Sequence, residues 1–591
     1  MTSSKTDIGP VTSAITSAAE AMFTVQRADG VFDYGAGALT STLSTVGAVS
    51  ALHFADPDGS ADLIALGVDW LSRTQRPDGG WSMVPGGASE AGPTAVASAT
   101  LHLVAPSDAA AAVRSGRDWM TAHGGLEAIP HPEVVAWCRQ FYGYAGWLDP
   151  RDMRRFPLEL ALFPGLFRRL FDLRSPMVAA LALAQTRYRR TNPVLRRLAA
   201  AGAPNALSII RQVYEHEGST GGWCEDAWVT GLICAGLARA GLAPDMVGGA
   251  VKWFRAMADP DGSWNSGTLD LTWSMYAVGG LLEAGYADDE RLRATRRLFL
   301  RDQQDKPFTA FGCPPGFWGW SGSRGWPASL ETAEIVSALT ALPDKDGQAE
   351  ASIKRGTAWL TTQQDTRGSW GLCVRNTKVA NSGPCPHMTA QSVDALLDAG
   401  AAPDDPRVLR AVKWLHTAQR PDGTFESVWY RMHTAGTSAV LRTLVKAAQG
   451  GHPTAVKARR WLLDTQLADG SWSTGDGAEP GTVEETAWAV GALLTAGVPA
   501  ADPAVGRGVQ WLLAARRPDG SWPEARVNEY VRHVCRYPNG GLANGLALRA
   551  LARYRGAVEK AAEAGEAEEV GEAGEAGEIK EAEEGGHTHA Y

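Results

Sequence analysis

The sequence predicts an all-α protein of two α/α-barrel domains, and three observations support this fold class. A chain of 591 residues exceeds what one hydrophobic core usually holds, so two domains are expected. A turn of the D-G-x-W type recurs along the chain, with neighbouring copies about 50 residues apart. Between the turns, apolar residues follow helical spacing, and the strict alternation of a β-rich fold is absent.

Each repeat carries a Trp and, eleven residues later, the aromatic residue that ends the turn. The pairs are Trp70/Trp81, Trp253/Trp264, Trp359/Trp370, Trp414/Phe425, Trp461/Trp472 and Trp511/Trp522. A weaker copy ends at Phe32, and two wide gaps interrupt the series between Trp81 and Trp370. We interpret the repeat-turn aromatics as structural.

One repeat contains two helices of different character. Residues 411–419 form an amphipathic helix, which the following Pro-Asp-Gly stops because Pro cannot continue a helix and Gly adopts positive φ. Residues 486–497, after a later turn, are almost entirely apolar. An outer amphipathic helix followed by a buried inner helix is the repeating unit of an α/α barrel.

The spacing of the repeats predicts the domain limits. We expect one barrel over residues 24–235 and a second over 236–556, with residues 1–23 returning to the second barrel. The remaining residues, 557–591, are Glu-, Ala- and Gly-rich, and we expect a disordered acidic tail without a catalytic role.

Composition narrows the range of functions. The net charge of −9 arises within the tail, where eleven Glu and two Lys follow Arg555, so the rest of the chain is close to neutral. A basic field for nucleic acid is therefore missing, and no such partner is expected. Seven scattered Cys predict reduced thiols and a cytoplasmic setting. The 22 Trp residues indicate a repeated packing device or an aromatic-lined cavity.

The D-G-x-W turns resemble the repeats of class II terpene cyclases, the family of squalene-hopene, oxidosqualene and bacterial labdane-type diphosphate cyclases. Residues 481–494 and 137–164 are also similar to segments of these enzymes. The resemblance covers most of residues 20–555. It implies two barrel domains with a cavity between them, in which a carboxylic acid protonates a linear isoprenoid.

The family's acid motif is altered in this chain. The family has D-x-D-D-T-A or D-C-T-A-E, and the matching residues 325–339 read GWPASLETAEIVSAL. Leu330 occupies the acid position and Ala328 that of the first motif Asp, so Glu331 is the acid that remains at the motif's last Asp position. Leucine has no proton to donate, and the family mechanism therefore requires another group.

The helix that supports the acid is altered as well. Where the family reads P-D-V-T-A-H, this chain has Pro386 to Gln391, with His387 at the Asp position and Gln391 at the His position. The two lie four positions apart and share a helix face. Either Glu331 is a relocated acid held by His387 or Gln391, or the site has lost its strong acid. Glu331 also fits a simple helix N-terminal carboxylate.

Other acidic and aromatic residues remain candidates. Glu225 and Asp226 form an acidic pair beside a Trp and rank below Glu331 as the acid. Aromatic faces stabilise carbocations, and the resemblance together with local clustering predicts the following substrate-binding residues, with packing as the alternative for each. They are Trp137, Trp273, Phe317, Trp318, Trp320, Trp326 and Trp429.

The segment 156–171 is apolar with embedded arginines, and its length suits a peripheral membrane contact. The alternative is a buried interdomain helix. No apolar run in the sequence is long enough to span a bilayer.

These observations predict an atypical terpene cyclase that acts on a linear isoprenoid. The competing interpretations are a non-catalytic isoprenoid-binding or scaffold protein on the same fold, and a prenyltransferase-like enzyme, which needs zinc ligands. We expect no metal site and no cofactor, except Mg²⁺ if the substrate is a diphosphate. The sequence leaves the chain length and head group of the substrate open.

Overall fold

The computed structural model of the protein describes residues 8–35, 39–149, 152–189, 191–379, 381–475 and 479–584, with side chains as far as residue 564. The helices are α1 Gly9–Thr24, α2 Thr42–Ala55, α3 Ala61–Arg73, α4 Ala91–Val104, α5 Ala110–Ala122, α6 Pro132–Tyr144, α7 Pro164–Phe171, α8 Ser175–Tyr188, α9 Pro193–His216, α10 Ala227–Ala240, α11 Pro244–Met257, α12 Asp270–Glu283, α13 Leu292–Asp302, α14 Ser329–Ala341, α15 Gln348–Gln363, α16 Pro386–Asp398, α17 Pro406–Ala418, α18 Thr434–Lys446, α19 Pro453–Asp464, α20 Val483–Thr495, α21 Pro503–Ala514 and α22 Gly540–Glu584. Short 3₁₀ turns span Gly125–Ala128, Leu158–Leu162 and Asp172–Arg174, and β1 Asn528–Val531 pairs antiparallel with β2 Val534–Tyr537.

The helices form two rings, each with an inner and an outer layer. In the second ring the inner helices α12, α14, α16, α18, α20 and α22 pack each against the next, and α22 returns to α12. The outer layer is α13, α15, α17, α19 and α21, and α1 completes it by packing on α22. In the first ring α10 packs on α2 and α8, and α4 packs on α2 and α6.

The repeated Trp fastens an outer helix to the inner helix that follows it. The indole Nε1 of Trp472 donates to the carbonyl oxygen of Leu462 at the end of α19, at 2.7 Å. Its backbone N–H donates to Thr486 Oγ1 on α20, at 3.1 Å. The indole thus satisfies a carbonyl that the end of the outer helix leaves without a helical partner. The same two bonds recur at Trp81 and Trp370.

The backbone hydrogen bond of the repeat aromatic residue also connects the last outer helix of each ring to the first inner helix of that ring. The backbone N–H of Trp264, after α11, donates to Thr45 Oγ1 on α2, at 3.2 Å. The N–H of Phe32, after α1, donates to Ser274 Oγ on α12, at 3.1 Å. Glycine is required in these turns because they approach the next outer helix closely. Gly368 has φ +103°, and a Cβ there would lie 2.4 Å from the carbonyl oxygen of Arg410.

The domain division and the tail differ from the sequence-based expectation. The division predicted at residues 235 and 236 falls inside α10, which packs on α2 and α8, so the contacts place it between α11 and α12. The tail was expected to be disordered from residue 557. The chain instead remains helical to Glu584, since Glu, Ala and Lys are good helix formers. Residues 585–591 lie outside the described part.

Candidate active site

A cavity of about 140 Å³ lies between the two rings, where the first turns of inner helices from both rings meet. Its wall on the first ring includes Trp137, Arg174, Asp226 and Trp228. Its wall on the second ring includes Thr272, Trp320, Trp326, Leu330, Glu331, Trp429 and Tyr430, and the β1–β2 hairpin adds Tyr530 and Tyr537. The cavity is therefore lined by aromatic rings and a few acidic groups.

Glu331 lies in the first turn of α14 with its side chain 4% exposed, and it lines the cavity beside Leu330. Thr272 Oγ1, on the first turn of α12, donates to Glu331 Oε1 at 2.7 Å. Burial raises the pKa of the Glu331 carboxyl to about 7, and the nearby Glu334 carboxyl raises it further, while the Thr272 bond opposes the shift. Glu331 is thus partly protonated near neutral pH.

The hydrogen bonds of His387 and Gln391 go to partners other than Glu331, so neither holds this carboxyl directly; the interpretation of a relocated acid also allows contact through one water. Gln391 Nε2 donates to Glu334 Oε1 at 2.9 Å, one helical turn further along α14. His387 Nδ1 lies 3.0 Å from Ser427 Oγ. Burial lowers the pKa of His387 to about 3, so the ring is neutral. Thr272 occupies the supporting position that the sequence pattern gave to His387 or Gln391.

Four of the seven predicted substrate-binding aromatics line the cavity. Trp137, Trp320 and Trp429 are partly buried, and the buried Trp326 donates through Nε1 to Glu217 Oε1 at 2.6 Å.

The other three are packing residues. Trp318 is a repeat Trp, since its Nε1 donates to the carbonyl oxygen of Phe299 and its N–H to Thr332 Oγ1. Phe317 packs on Trp359, with ring centroids 5.8 Å apart. Trp273 is buried where the α12 backbone meets Gly541 of α22.

Two pairs of polar residues line the cavity, and the sequence pattern did not predict that the members of either pair lie together. Asp226 caps α10 and accepts a hydrogen bond from the Tyr530 hydroxyl at 2.7 Å. Arg174 Nε donates to Glu133 Oε1 at 2.5 Å. An Asp immediately before an apolar helix is an N-cap signal that can be read from sequence. The pairing with Tyr530, 304 positions away, leaves no such signal.

A second cavity of about 400 Å³ adjoins the first and lies between α6 and α8 of the first ring. The two cavities share the lining residues Glu133, Trp137, Arg174, Met177 and Asn381. The second cavity reaches Phe156, Leu170 and Phe171 of the apolar segment. The Glu133–Arg174 pair thus stands between the inner cavity and a route towards that segment.

The segment 156–171 exposes one apolar face to solvent and is not a fully buried interdomain helix, although Arg168 donates to the Thr309 carbonyl and the Arg169 carbonyl accepts from Thr377, both of the second ring. Phe163 is 64% exposed, Leu166 42% and Leu170 46%, while Phe167 is buried and anchors α7. No helix within the described residues is both long and apolar enough to cross a bilayer.

All seven cysteines are free and buried. Among the described residues, no three His, Cys, Asp or Glu side chains are grouped closely enough to hold a metal ion, and this includes the region of Cys385 and His387.

Comparison with protein families identifies the class to which this fold and cavity belong. The model of the squalene-hopene cyclase N-terminal domain matches residues 15–205, and that of the C-terminal domain matches residues 376–555. The two matches together cover more than half of the chain. The protein therefore belongs to the squalene-hopene cyclase family of class II terpene cyclases.

Individual relatives are more distant. The chain is 29% identical over 276 residues to a squalene–hopene cyclase of Bradyrhizobium diazoefficiens, a match that covers 41% of each chain. It is 27% identical over 329 residues to that of Zymomonas mobilis, covering 49% of each. The matched part thus spans less than half of these curated relatives.

Among solved structures, ent-copalyl diphosphate synthase from Streptomyces platensis superposes with a TM-score of 0.53 at 20% identity. The match covers 92% of this chain and all of that one. It confirms the predicted all-α, α/α-barrel fold.

Proposed function

We propose that the protein cyclises a linear polyprenoid, and that Glu331 donates the proton that starts the reaction. The observation that carries this proposal is a protonatable carboxyl, buried at the wall of an aromatic-lined cavity between the two rings. Membership of the squalene-hopene cyclase family supports cyclisation as the class of reaction.

The surroundings of Glu331 suit proton transfer. Burial raises the pKa of the carboxyl to about 7, so a substantial fraction is in the acid form at neutral pH when the substrate binds. After transfer, the Thr272 hydroxyl, 2.7 Å from Oε1, remains hydrogen-bonded to the new carboxylate. Such a donor stabilises the charge that forms and strengthens the acid.

The aromatic wall supplies the second requirement of the reaction. A carbocation formed next to Glu331 would lie in a cavity that Trp320, Trp429 and Tyr430 also line, and the face of an aromatic ring attracts a cation. Exclusion of water from the cavity prevents water from capturing the cation before the rings of the product have formed.

The charges around the inner cavity favour a substrate without a diphosphate. Among the described residues that line it, Arg174 is the one cation, and Glu133 pairs with it. Glu331 and Asp226 add further acidic groups. A diphosphate would lack counter-charges in the inner cavity, whereas Arg154 and Arg155 line the adjoining second cavity. Squalene, named in the relatives, is an uncharged linear polyprenoid. No cofactor and no Mg²⁺ is then part of the proposal.

We place the protein at a membrane surface through the exposed apolar residues of segment 156–171. Of these, Leu170 also lines the second cavity, so a polyprenoid dissolved in a bilayer would have a short path to the inner cavity.

One observation favours a second candidate function. Leu330, at the family's acid position, lines the cavity and cannot donate a proton. A cavity that lacks the family's acid is also consistent with a protein that binds a linear isoprenoid without converting it.

A substrate panel distinguishes the two functions. The purified protein is incubated with linear C15 to C30 polyprenoids, both free and diphosphorylated, and the products are analysed by gas chromatography and mass spectrometry. Cyclised product from an uncharged substrate supports the proposal. Tight binding of a polyprenoid without any conversion across the panel supports the binding protein instead.

A further inference from the structure

The inner cavity holds a second buried carboxyl that initiation does not use. Asp226 is 4% exposed and lines the cavity from the first ring, whereas Glu331 lines it from the second. In a cation cyclisation the proton enters at one carbon and leaves from another. The reaction therefore also needs a proton acceptor within reach of the carbon from which the proton leaves.

Asp226 is fixed by contacts to both carboxylate oxygens. Oδ1 accepts from the backbone N–H of Trp228 at 2.7 Å and, at 3.4 Å, from that of Val229, so it caps α10. Oδ2 accepts from the Tyr530 hydroxyl at 2.7 Å. These bonds all stabilise the ionised form, and a carboxylate has about four lone-pair sites, so it can still accept a proton from a bound cation.

The turn before Asp226 is strained in a way that aims this residue. Cys224 has φ +64° and Glu225 has φ +51°, a region that side-chain-bearing residues rarely adopt, and two in succession need support from their surroundings. The buried Glu217 accepts from the Cys224 N–H at 2.7 Å, and Arg324 pairs with Glu225 at 3.1 Å. Backbone strain held by surrounding contacts is a common feature of functional sites.

We infer that Asp226 is the base that terminates the cyclisation, with Tyr530 as its positioning residue. The inference rests on the proposed function. In the final cation, a C–H bond next to the cationic carbon breaks, its electron pair forms the new C=C bond, and the proton passes to the Asp226 carboxylate. Glu331 gave one proton and Asp226 receives one, so the overall reaction is an isomerisation. Both groups return to their starting states by exchange with solvent.

The protonation states of the two carboxyls agree with this division. Burial raises the pKa of Asp226 to about 6, below the value of about 7 for Glu331. At neutral pH Asp226 is mostly ionised and Glu331 holds more of its proton. Two carboxyls whose surroundings separate their pKa values can serve as the base and the acid of one reaction.

The test compares the products of the wild type and Asp226→Asn. Asn caps a helix as well as Asp does, so the variant keeps the cap but loses the basic oxygen. We expect at least a tenfold smaller share of the principal cyclic alkene among the products. Alkene isomers and alcohols from capture of the cation by water should replace it.

Two results overturn the inference. An unchanged product distribution means that another group removes the proton, and complete loss of turnover with retained substrate binding means that Asp226 acts in initiation. If Asp226→Asn does not fold, Tyr530→Phe provides the test, because it leaves the cap intact and removes the hydrogen bond that positions Oδ2. It should shift the product ratio in the same direction, and an unchanged ratio also overturns the inference. If the proposed function itself is wrong, the wild type converts no substrate, and this result is distinct from every outcome described for the variants.

Discussion

Glu331→Gln should change how the stability of the protein depends on pH. The pKa of this carboxyl rises from 4.5 to about 7 on folding because the group is buried. A shift of this size corresponds to about 3 kcal/mol between the protonated and ionised forms. Folding favours the protonated form, so this stability is fully present below pH 4.5 and is lost as the pH rises through 7. Glutamine does not titrate and has no such loss.

The measurement is urea unfolding of the wild type and the variant at pH 5 and pH 8. The difference between the two proteins cancels the titration of other buried carboxyls, and it should move by about 2–3 kcal/mol in favour of the variant at pH 8. Glu350→Gln, at an exposed position on α15, is the matched control and should show no such change. A difference between wild type and Glu331→Gln that stays constant between the two pH values would refute the reasoning.

Three further predictions concern the fold and the surface. Thr486→Val removes the acceptor of the buried Trp472 N–H and should lower the unfolding free energy by about 1–3 kcal/mol in urea titrations; no loss would mean that the turn bond is dispensable. Truncation after Lys560 should leave the melting temperature unchanged, because residues 559–564 are exposed; a clear decrease would show that the tail packs on the body. Phe163→Asp should reduce flotation with liposomes, whereas Val456→Asp, equally a change at an exposed apolar residue, should not; equal flotation of both would count against a membrane contact through α7.

The fold could be predicted because its repeating unit has a local signature. A D-G turn followed by an aromatic residue marks a helix end, and the indole hydrogen bonds at Trp81, Trp370 and Trp472 show why Trp is favoured there. The two wide gaps between Trp81 and Trp370 are gaps in the sequence signature alone, because the structural repeat continues through them. Trp223 and Trp318 make the same two hydrogen bonds and follow a Gly at the usual position, but Thr220 and Pro315 stand where the turn signature has Asp.

The sequence predicted the features of the site that depend on a single helix. It did not predict the contacts that depend on how two helices pack together. Glu331 lines the cavity because the first turn of α14 faces it. Whether Gln391 meets Glu331 or Glu334 depends on the relative height of α14 and α16, and a shift of one turn changes the partner. Asp226 and Tyr530 come together only through tertiary packing. Such pairings are not encoded in the spacing of residues along the chain.

The most direct test of the account is the mass of the product formed in D₂O. An acid that exchanges with solvent delivers deuterium to the substrate, so the wild type should produce a cyclic product that carries one deuterium. Glu331→Gln should yield no product under the same conditions while it still binds the substrate, because the variant lacks the acidic proton alone. Near wild-type turnover of Glu331→Gln, or a wild-type product without deuterium, would contradict the assignment of Glu331 as the proton donor.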